Sequence, residues 1–185
     1  LKLDSAVVLA NRVLEALSPL CDRVEVAGSI RRQKPEVNDI DIVAIPDYSD
    51  YRIPDPFNNT VKTMRLDPTE TWKKHIPEVL MKGPLKLLGH QFGQELMRFS
   101  FRDGFQVDIY RARPETWGVI LLVRTGSKEH NVKLCSLARS KGWKLSASQG
   151  VVTQEGFGEV KASKTEEEIF AALGLPFVEP KDREV

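Results

Sequence analysis

The sequence predicts an α+β fold, and two observations carry the prediction. Before Arg113 the chain reads mainly as short apolar strands bounded by glycine, proline and aspartate, behind one amphipathic helix. After Pro114 helical spacing dominates, broken by two short strands. A length of 185 residues fits one compact domain or two small ones. The change of pattern at Arg113/Pro114 divides the chain into a sheet-rich part, 1–113, and a helix-rich part, 114–185.

Taken in order, Asp4 or Ser5 is expected to cap a first helix, with Val7, Val8, Ala10, Leu14 and Leu17 near helical spacing and Pro19 at its end. "VEVAG" is a strand stopped by Gly28, and "DIDIVAI", Asp39 to Ile45, is a second strand ended by Pro46. Residues 46–60 are rich in proline and aspartate and read as a surface loop. A short helix is expected around 75–82. The stretches "PLKLLGHQ", "QELMRFSF" and "FQVDIYR" follow as strands, with a hairpin signal at Arg102-Asp103-Gly104. Pro114 suits the first position of the helix "PETWGVILLVR". Ser127 caps "KEHNVKLCSLARSK", which stops at Gly142. Strands at 143–147 and 150–153 precede a last helix, opened by a Thr165/Glu168 capping box and closed by Gly174.

Composition narrows the function. No apolar run approaches the roughly 20 residues that span a bilayer, and Asp4, Asn11, Arg12 and Glu15 break the first helix, which is no signal peptide. No membrane role is expected. Cys21 and Cys135 lack metal-ligand spacing, and a reduced intracellular setting is the default. The net charge is only +1, but it is unevenly spread. Residues 111–145 hold eight Lys/Arg against two acids, and residues 146–185 hold four against eight. A basic surface is therefore hidden inside a near-neutral total; a solvated helix face is the plainer explanation. His130 is read as a helix-surface residue, and Trp72, Trp117 and Trp143 as packing residues.

The chemistry begins with Asp39 and Asp41. Alternate residues of a strand share a face, so the two carboxylates project together while Ile40, Ile42 and Ala44 pack behind them. Side by side they repel, and burial makes that worse. A divalent cation or arginines must compensate, and hard oxygen donors suit Mg²⁺. Asp108 stands with Gln106 and Tyr110 on the less apolar face of a later strand, opposite Phe105, Val107 and Ile109. Three such acids on neighbouring strands can hold two metal ions for an in-line displacement. Ordinary polar-face aspartates are the plainer reading, weakest for the Asp39/Asp41 pair on its isoleucine-rich strand. Gly28 permits close backbone approach and, with Ser29, opens a helix whose N–H groups suit an anion. Arg31 and Arg32 follow, and one of them can hold phosphate oxygens with its planar fork.

"GSIRR", the Asp39-x-Asp41 pair, Asp108 on a later strand, and "TGSKEHN" at 125–131 together resemble the family X DNA polymerases. "GWKLS", "TEEEIFAALGLPF" and "EPKDRE" resemble the end of the same family, so the likeness covers nearly the whole chain. The resemblance implies a nucleotidyltransferase-fold palm with a central mixed or antiparallel sheet over 1–113, followed by a small helix-rich nucleotide-selecting subdomain over 114–185. It implies that Asp39 and Asp41 bind two Mg²⁺ ions, with Mn²⁺ as a substitute. Asp108 would bind the catalytic ion and help to activate a primer 3′-hydroxyl. Gly28, Ser29 and Arg32 would contact the triphosphate. Gly126, Ser127 and Asn131 would line the nucleotide pocket, and the Gly-Ser peptide of this motif is often cis. Arg111, Arg113, Lys128 and Lys133 are candidates for DNA contact. The implied activity is DNA-directed DNA synthesis from dNTPs on gapped or primer–template DNA, in repair, by an intracellular monomer. The length leaves no room for the N-terminal lyase domain of larger relatives, as in compact viral members.

Three departures stand out. Relatives often carry a Tyr-Phe pair before Thr-Gly-Ser, where this chain has Val123-Arg124, so the sugar pocket is expected to differ. Cys135 replaces an arginine that reads the template-side minor groove, and Gln106 stands where a basic residue often precedes the third aspartate. Two other readings share some of the motifs. One is a nucleotidyltransferase acting on a small molecule, RNA or protein, which needs neither "TGSKEHN" nor the basic second part. The other is a catalytically inactive module that binds DNA ends, against which all three aspartates argue.

Overall fold

The chain opens with helix α1, Leu3–Leu17, in a computed structural model that describes residues 1–47, 49–54, 61–82, 87–102, 104–153 and 158–184. Its buried residues, Ala6, Ala10, Val13 and Leu17, form one stripe against the sheet. The helix starts one position before Asp4 and has no side-chain cap, so neither Asp4 nor Ser5 plays that part. A 3₁₀ turn with Pro19 closes it and leads into strand β1, Cys21–Val26. A single turn of helix, α2, Gly28–Arg31, joins β1 to β2, Asp39–Pro46.

Strand β2 is buried on both sides, which explains its isoleucines. Ile40, Ile42 and Ala44 are fully buried on the α1 side with Phe99, Val107 and Ile109. On the other side Val43 and Ile45 pack beneath Trp117 and Leu121, leaving Asp39 and Asp41 at the open end of that face. Each fully buried isoleucine contributes about 2 kcal/mol, so the strand cannot rotate its carboxylates away without losing its core.

The segment expected as a loop at 46–60 is partly strand. Ser49–Pro54 (β3) pairs antiparallel with Val61–Leu66 (β4) as a separate two-stranded ribbon, while residues 48 and 55–60 lie outside the described residues. Prolines and aspartates signalled turns, but the pairing partner lies beyond position 60, where local composition does not point. The helix expected at 75–82 begins earlier. Asp67 caps Pro68–Glu70 (α3) by accepting from the N–H groups of Thr69 and Glu70 at 2.7 and 2.9 Å; a π-turn, Thr71–His75, then leads into α4, Ile76–Lys82.

Strands β5 (Leu87–Phe92), β6 (Leu96–Phe101) and β7 (Gln106–Arg111) complete a five-stranded mixed sheet of order β1-β2-β7-β6-β5. All its pairs are antiparallel except β2 with β7. Gly104, at φ +82°, turns β6 into β7, and its N–H donates to the Phe101 carbonyl; Asp103 of the expected hairpin signal lies outside the described residues. The fold class is thus α+β with a central mixed sheet, as the sequence implies.

Pro114 opens a 3₁₀ turn rather than the helix itself, and α5, Trp117–Thr125, follows. Ser127 caps α6, Lys128–Ser140, by accepting from the His130 N–H at 3.2 Å. A three-stranded sheet of β8 (Trp143–Ser146), β9 (Gly150–Thr153) and β10 (Val160–Ala162) packs with α7, Glu166–Leu173, around Val119, Leu122, Leu134, Val151 and Phe170. Strand β10 escaped the sequence because it has three residues and an exposed Val160. Trp72 and Trp117 are buried, as expected. His130 is buried against Phe170, at 5.7 Å between ring centroids, and not on the helix surface. Among the described residues no helix is long and apolar enough to cross a membrane.

A buried ionic clasp ties the two parts together. Arg183, wholly buried, donates to Glu166 Oε1 at 2.7 Å and to the Val178 carbonyl at 2.9 Å. Arg31 from α2 reaches the same carboxylate at 2.9 and 2.7 Å. Burial alone would raise the Glu166 carboxyl, but the hydrogen bonds from Arg31 and then Arg183 outweigh it and hold the group below its usual range. Its contribution is therefore present at neutral pH and lost as pH falls through the folded value. Glu166→Ala, which leaves a buried arginine without its partner, is expected to cost about 3 kcal/mol. Urea unfolding should show it as a lower midpoint at an unchanged slope, with the deficit shrinking in acid.

Candidate active site

Register builds the site. In the parallel β2–β7 pair Asp41 stands directly opposite Asp108 and Asp39 opposite Gln106. One oxygen from each of Asp39, Asp41 and Asp108 lies within 4.8 Å of the other two. The three sequence-predicted acids are thus brought together. Asp108 is almost wholly buried, and Asp39 and Asp41 are half-buried.

Such crowding must be offset, and sequence reasoning missed one of the groups that does so. Arg98 on β6 is paired in register with Asp108 and grips it with both arms, Nε to Oδ1 at 2.8 Å and Nη2 to Oδ2 at 2.6 Å. The Tyr110 hydroxyl donates to the same carboxylate at 3.3 Å. The positive charge not found at Gln106 therefore comes from the neighbouring strand. Arg98 is ten residues from Asp108 in sequence, and the signal for it was cross-strand pairing, which a period-two reading of one strand does not contain.

Asp41 carries the remaining tension. Burial, then the charges of Asp39 and Asp108, push its carboxyl up to about 7, against the pull of Tyr110 and Arg124. Gly28 explains how Asp41 fits at all. At φ +58° a Cβ on this residue would lie 2.0 Å from Asp41 Oδ2, so the position requires glycine on both conformational and spatial grounds. The backbone of the Gly28–Ser29 turn thereby runs against the carboxylate, and the Ser29 hydroxyl beside it is buried with no hydrogen-bond partner.

A cleft of about 690 Å³ opens in front of these groups. It is lined by Gly28, Ser29, Arg32, Asp39 and Asp41 from the first part of the chain and by Val123, Arg124, Gly126, Lys128 and Asn131 from the second. Lys34, Cys135 and Arg139 line it too and were not singled out as binding residues from the sequence. Ser127 is turned inward: its hydroxyl donates to the Arg183 carbonyl at 2.7 Å. The Gly126–Ser127 peptide is cis. Asn131 donates to the Val123 carbonyl at 2.8 Å and leaves its own buried amide oxygen without a partner. Arg32 reaches the Thr125 carbonyl and Glu184, and Arg31 bonds Thr125 Oγ1 at 2.8 Å. The Arg124 guanidinium lies 4.0 Å from the centroid of the Tyr110 ring.

The proposed DNA contacts divide. Lys128 lines the cleft and Lys133 is exposed on α6. Arg111 and Arg113 do not line it. They border a second hollow of about 480 Å³, where Arg111 stands 3.4 Å from Thr69 Oγ1 and Arg113 3.4 Å from Glu95.

A mixed sheet that presents three converging carboxylates beside a glycine turn and a cation-lined cleft defines a site suited to metal-dependent phosphate chemistry. Its fold is that of polymerase beta. Over its whole length the chain resembles Leishmania infantum polymerase beta in a ternary gap complex, with a TM-score of 0.75 and 19% identity over 71% of that chain, and in a ternary P/T complex, with 0.74 and 20% over 77%. Sequence relatives agree. Residues 120–184 match the family described as DNA polymerase beta thumb. The DNA polymerase/3'-5' exonuclease PolX of Bacillus subtilis (strain 168) is 29% identical over 181 residues, covering 97% of this chain and 28% of the relative. DNA polymerase lambda of Rattus norvegicus is 35% identical over 89 residues, 43% of this chain and 15% of the relative. The chain is family X DNA polymerase-like, and it spans less than a third of the length of these two relatives.

The raised Asp41 carboxyl has a measurable consequence. A folded value of about 7 against an ordinary 3.8 means that stability is greatest below the ordinary value and is lost as pH rises through 7. Without divalent metal, Asp41→Asn should raise the melting temperature by roughly 5 °C near pH 8 and change it little near pH 4. Parallel thermal scans of the two proteins check this.

Proposed function

We propose that the protein is a DNA-directed DNA polymerase of family X that adds a nucleotide from a dNTP to a primer 3′-hydroxyl and fills gaps in DNA repair, acting as an intracellular monomer. The observation that carries this reading is the acid triad opposite the Gly28–Ser29 turn, at the end of a cleft whose walls come from both parts of the chain. On this reading residues 1–113 are the catalytic palm and 114–185 the nucleotide-selecting subdomain.

Three hard oxygen ligands converge, which suits Mg²⁺ or Mn²⁺, and burial beside Asp39 and Asp108 disfavours the charged Asp41 carboxylate unless a cation shares its charge; two ions at this triad are part of the proposal. Asp39 and Asp41 would hold both ions, and Asp108 would hold the catalytic one. When bound, they would lower the pKa of the attacking hydroxyl and share the charge of the leaving pyrophosphate. The protein's own groups do the rest. Arg98 and Tyr110 fix the rotamer of Asp108, which helps to activate the primer 3′-hydroxyl. The 3′-oxygen bonds to the α-phosphorus as the bond to pyrophosphate breaks. Gly28 brings backbone close to the triphosphate, the unpartnered Ser29 hydroxyl donates to it, and Arg32 binds its oxygens. Gly126, Ser127 and Asn131 shape the pocket for sugar and base. Lys128 and Lys133 on α6 meet DNA phosphates, with Arg111 and Arg113 at the second hollow as a further contact; binding then weakens steeply with salt.

Two predictions test the reading. On a duplex with a one-nucleotide gap, with Mg²⁺ or Mn²⁺, the protein should add the templated base. Asp108→Ala should lower that rate about a thousandfold while the dissociation constant for DNA changes less than about twofold. Untemplated addition would indicate a terminal transferase. No addition by folded protein that binds nucleotide would favour a small-molecule, RNA or protein substrate. Second, Val123 and Arg124 leave the sugar pocket without an aromatic wall, so ribonucleotides should compete well with deoxyribonucleotides. A strong deoxy preference that persists after Val123 substitution would show that another residue gates the sugar.

A further inference from the structure

The cations of the cleft already hold an anion. Arg183 is wholly buried and anchored by Glu166, by the Val178 carbonyl and, through its own carbonyl, by Ser127. The residue after it is thereby delivered to the cleft. One oxygen of Glu184 pairs with Arg32 Nε, and the other lies 2.9 Å from Lys34 Nζ. Arg32 and Lys34 both line the cleft.

The two ionic clusters near this end of the chain are built differently. Within the buried clasp the Glu166 side chain is only 5% exposed, so its removal would strand the wholly buried Arg183. Across the cleft pair, the Arg32 side chain is 13% exposed but that of Glu184 is 38% exposed. The carboxylate is thus the member that can swing into water at little cost, and an exposed pair of this kind contributes little to folding. A carboxylate bridging a guanidinium and an ammonium also reproduces, with less charge, what two phosphate oxygens would do there. On the same cleft the Ser29 hydroxyl is buried and unpartnered, a donor that Glu184 does not satisfy.

We propose that Glu184 is an internal competitor for the polyphosphate: it occupies Arg32 and Lys34 until a nucleoside triphosphate displaces it, and it thereby sets the nucleotide affinity of the cleft. The proposal rests on the reading of this cleft as the triphosphate site. The incoming phosphate takes over both cations and satisfies Ser29. The Glu184 carboxylate turns to solvent while Arg183 keeps the backbone in place. Apparent affinity is the intrinsic affinity reduced by the fraction of molecules in which Glu184 still holds the cations. A multiply charged polyphosphate outcompetes a single carboxylate, and a singly charged ligand does not, so the device also favours triphosphates over weaker anions.

The test is calorimetric titration of inorganic tripolyphosphate into the 185-residue chain, its Glu184→Gln variant and its Arg32→Ala variant, at one low ionic strength, with thermal scans to establish that all three fold. Glu184→Gln should bind about threefold more tightly or better, and in primer extension its KM for dNTP should fall by the same factor at unchanged kcat. Arg32→Ala should bind about tenfold more weakly. If Arg32→Ala weakens binding but Glu184→Gln leaves it unchanged or weakens it, the competitor proposal is overturned and the triphosphate reading stands. If Arg32→Ala binds as well as the parent, the triphosphate reading itself fails and the proposal with it.

Discussion

Mutual repulsion among three carboxylates within 4.8 Å of one another is the constraint around which the rest is arranged. The strands that carry them cannot relax. Ile40, Ile42 and Ala44 pin β2 from behind, and the parallel ladder with β7 sets Asp41 against Asp108. A one-residue slip would turn the acids into the core and the isoleucines into the cleft, at a cost of several buried side chains. The charge is met instead by Arg98, Tyr110 and Arg124, and by the absence of a side chain at Gly28. Asp41, with its carboxyl pushed up, keeps what those groups do not cancel. That residue of unbalanced charge is what a bound cation would offset.

The second constraint joins parts of the chain distant in sequence. Arg31 sits one turn after the glycine that admits Asp41, and it bonds Thr125 and Glu166 at sequence separations of 94 and 135. The same short helix therefore fixes the backbone beside the acid triad and the wall of the cleft opposite. Arg32, its neighbour, is shared between the Thr125 carbonyl and an exposed carboxylate. Adjacent arginines thus do different work: one is locked in a buried clasp, and the other faces the cleft with a partner that can leave.

The departures from the usual pattern of the family that the chain resembles make sense at this level. A positive charge missing at Gln106 reappears at Arg98, because what Asp108 needs is a fork at its oxygens and not a residue at a given position in the chain. Where relatives often place two aromatics, Arg124 of α5 lies over the ring of Tyr110 on β7, a cation stacked on an aromatic. The first departure keeps a local physical requirement while moving the atoms that meet it; the second changes the wall of the pocket.

The acids, the glycine turn and the caps at Ser127 and Thr165 were legible in the sequence because their logic is local, whereas the cap expected at Asp4 or Ser5 is not made. Asp39 and Asp41 share a face by the period of a strand. Ser127 and Thr165 cap their helices through oxygens that accept from N–H groups three residues on. What tertiary structure alone decided depends on residues that no local period connects. The β3–β4 ribbon inside a supposed loop, the three-residue β10, the burial of His130, the grip of Arg98 on Asp108 and the reach of Glu184 to Arg32 and Lys34 all belong to this class. Periodicity tells which way a side chain points; it takes the register of strands and the return of a distant segment to tell what the side chain meets there.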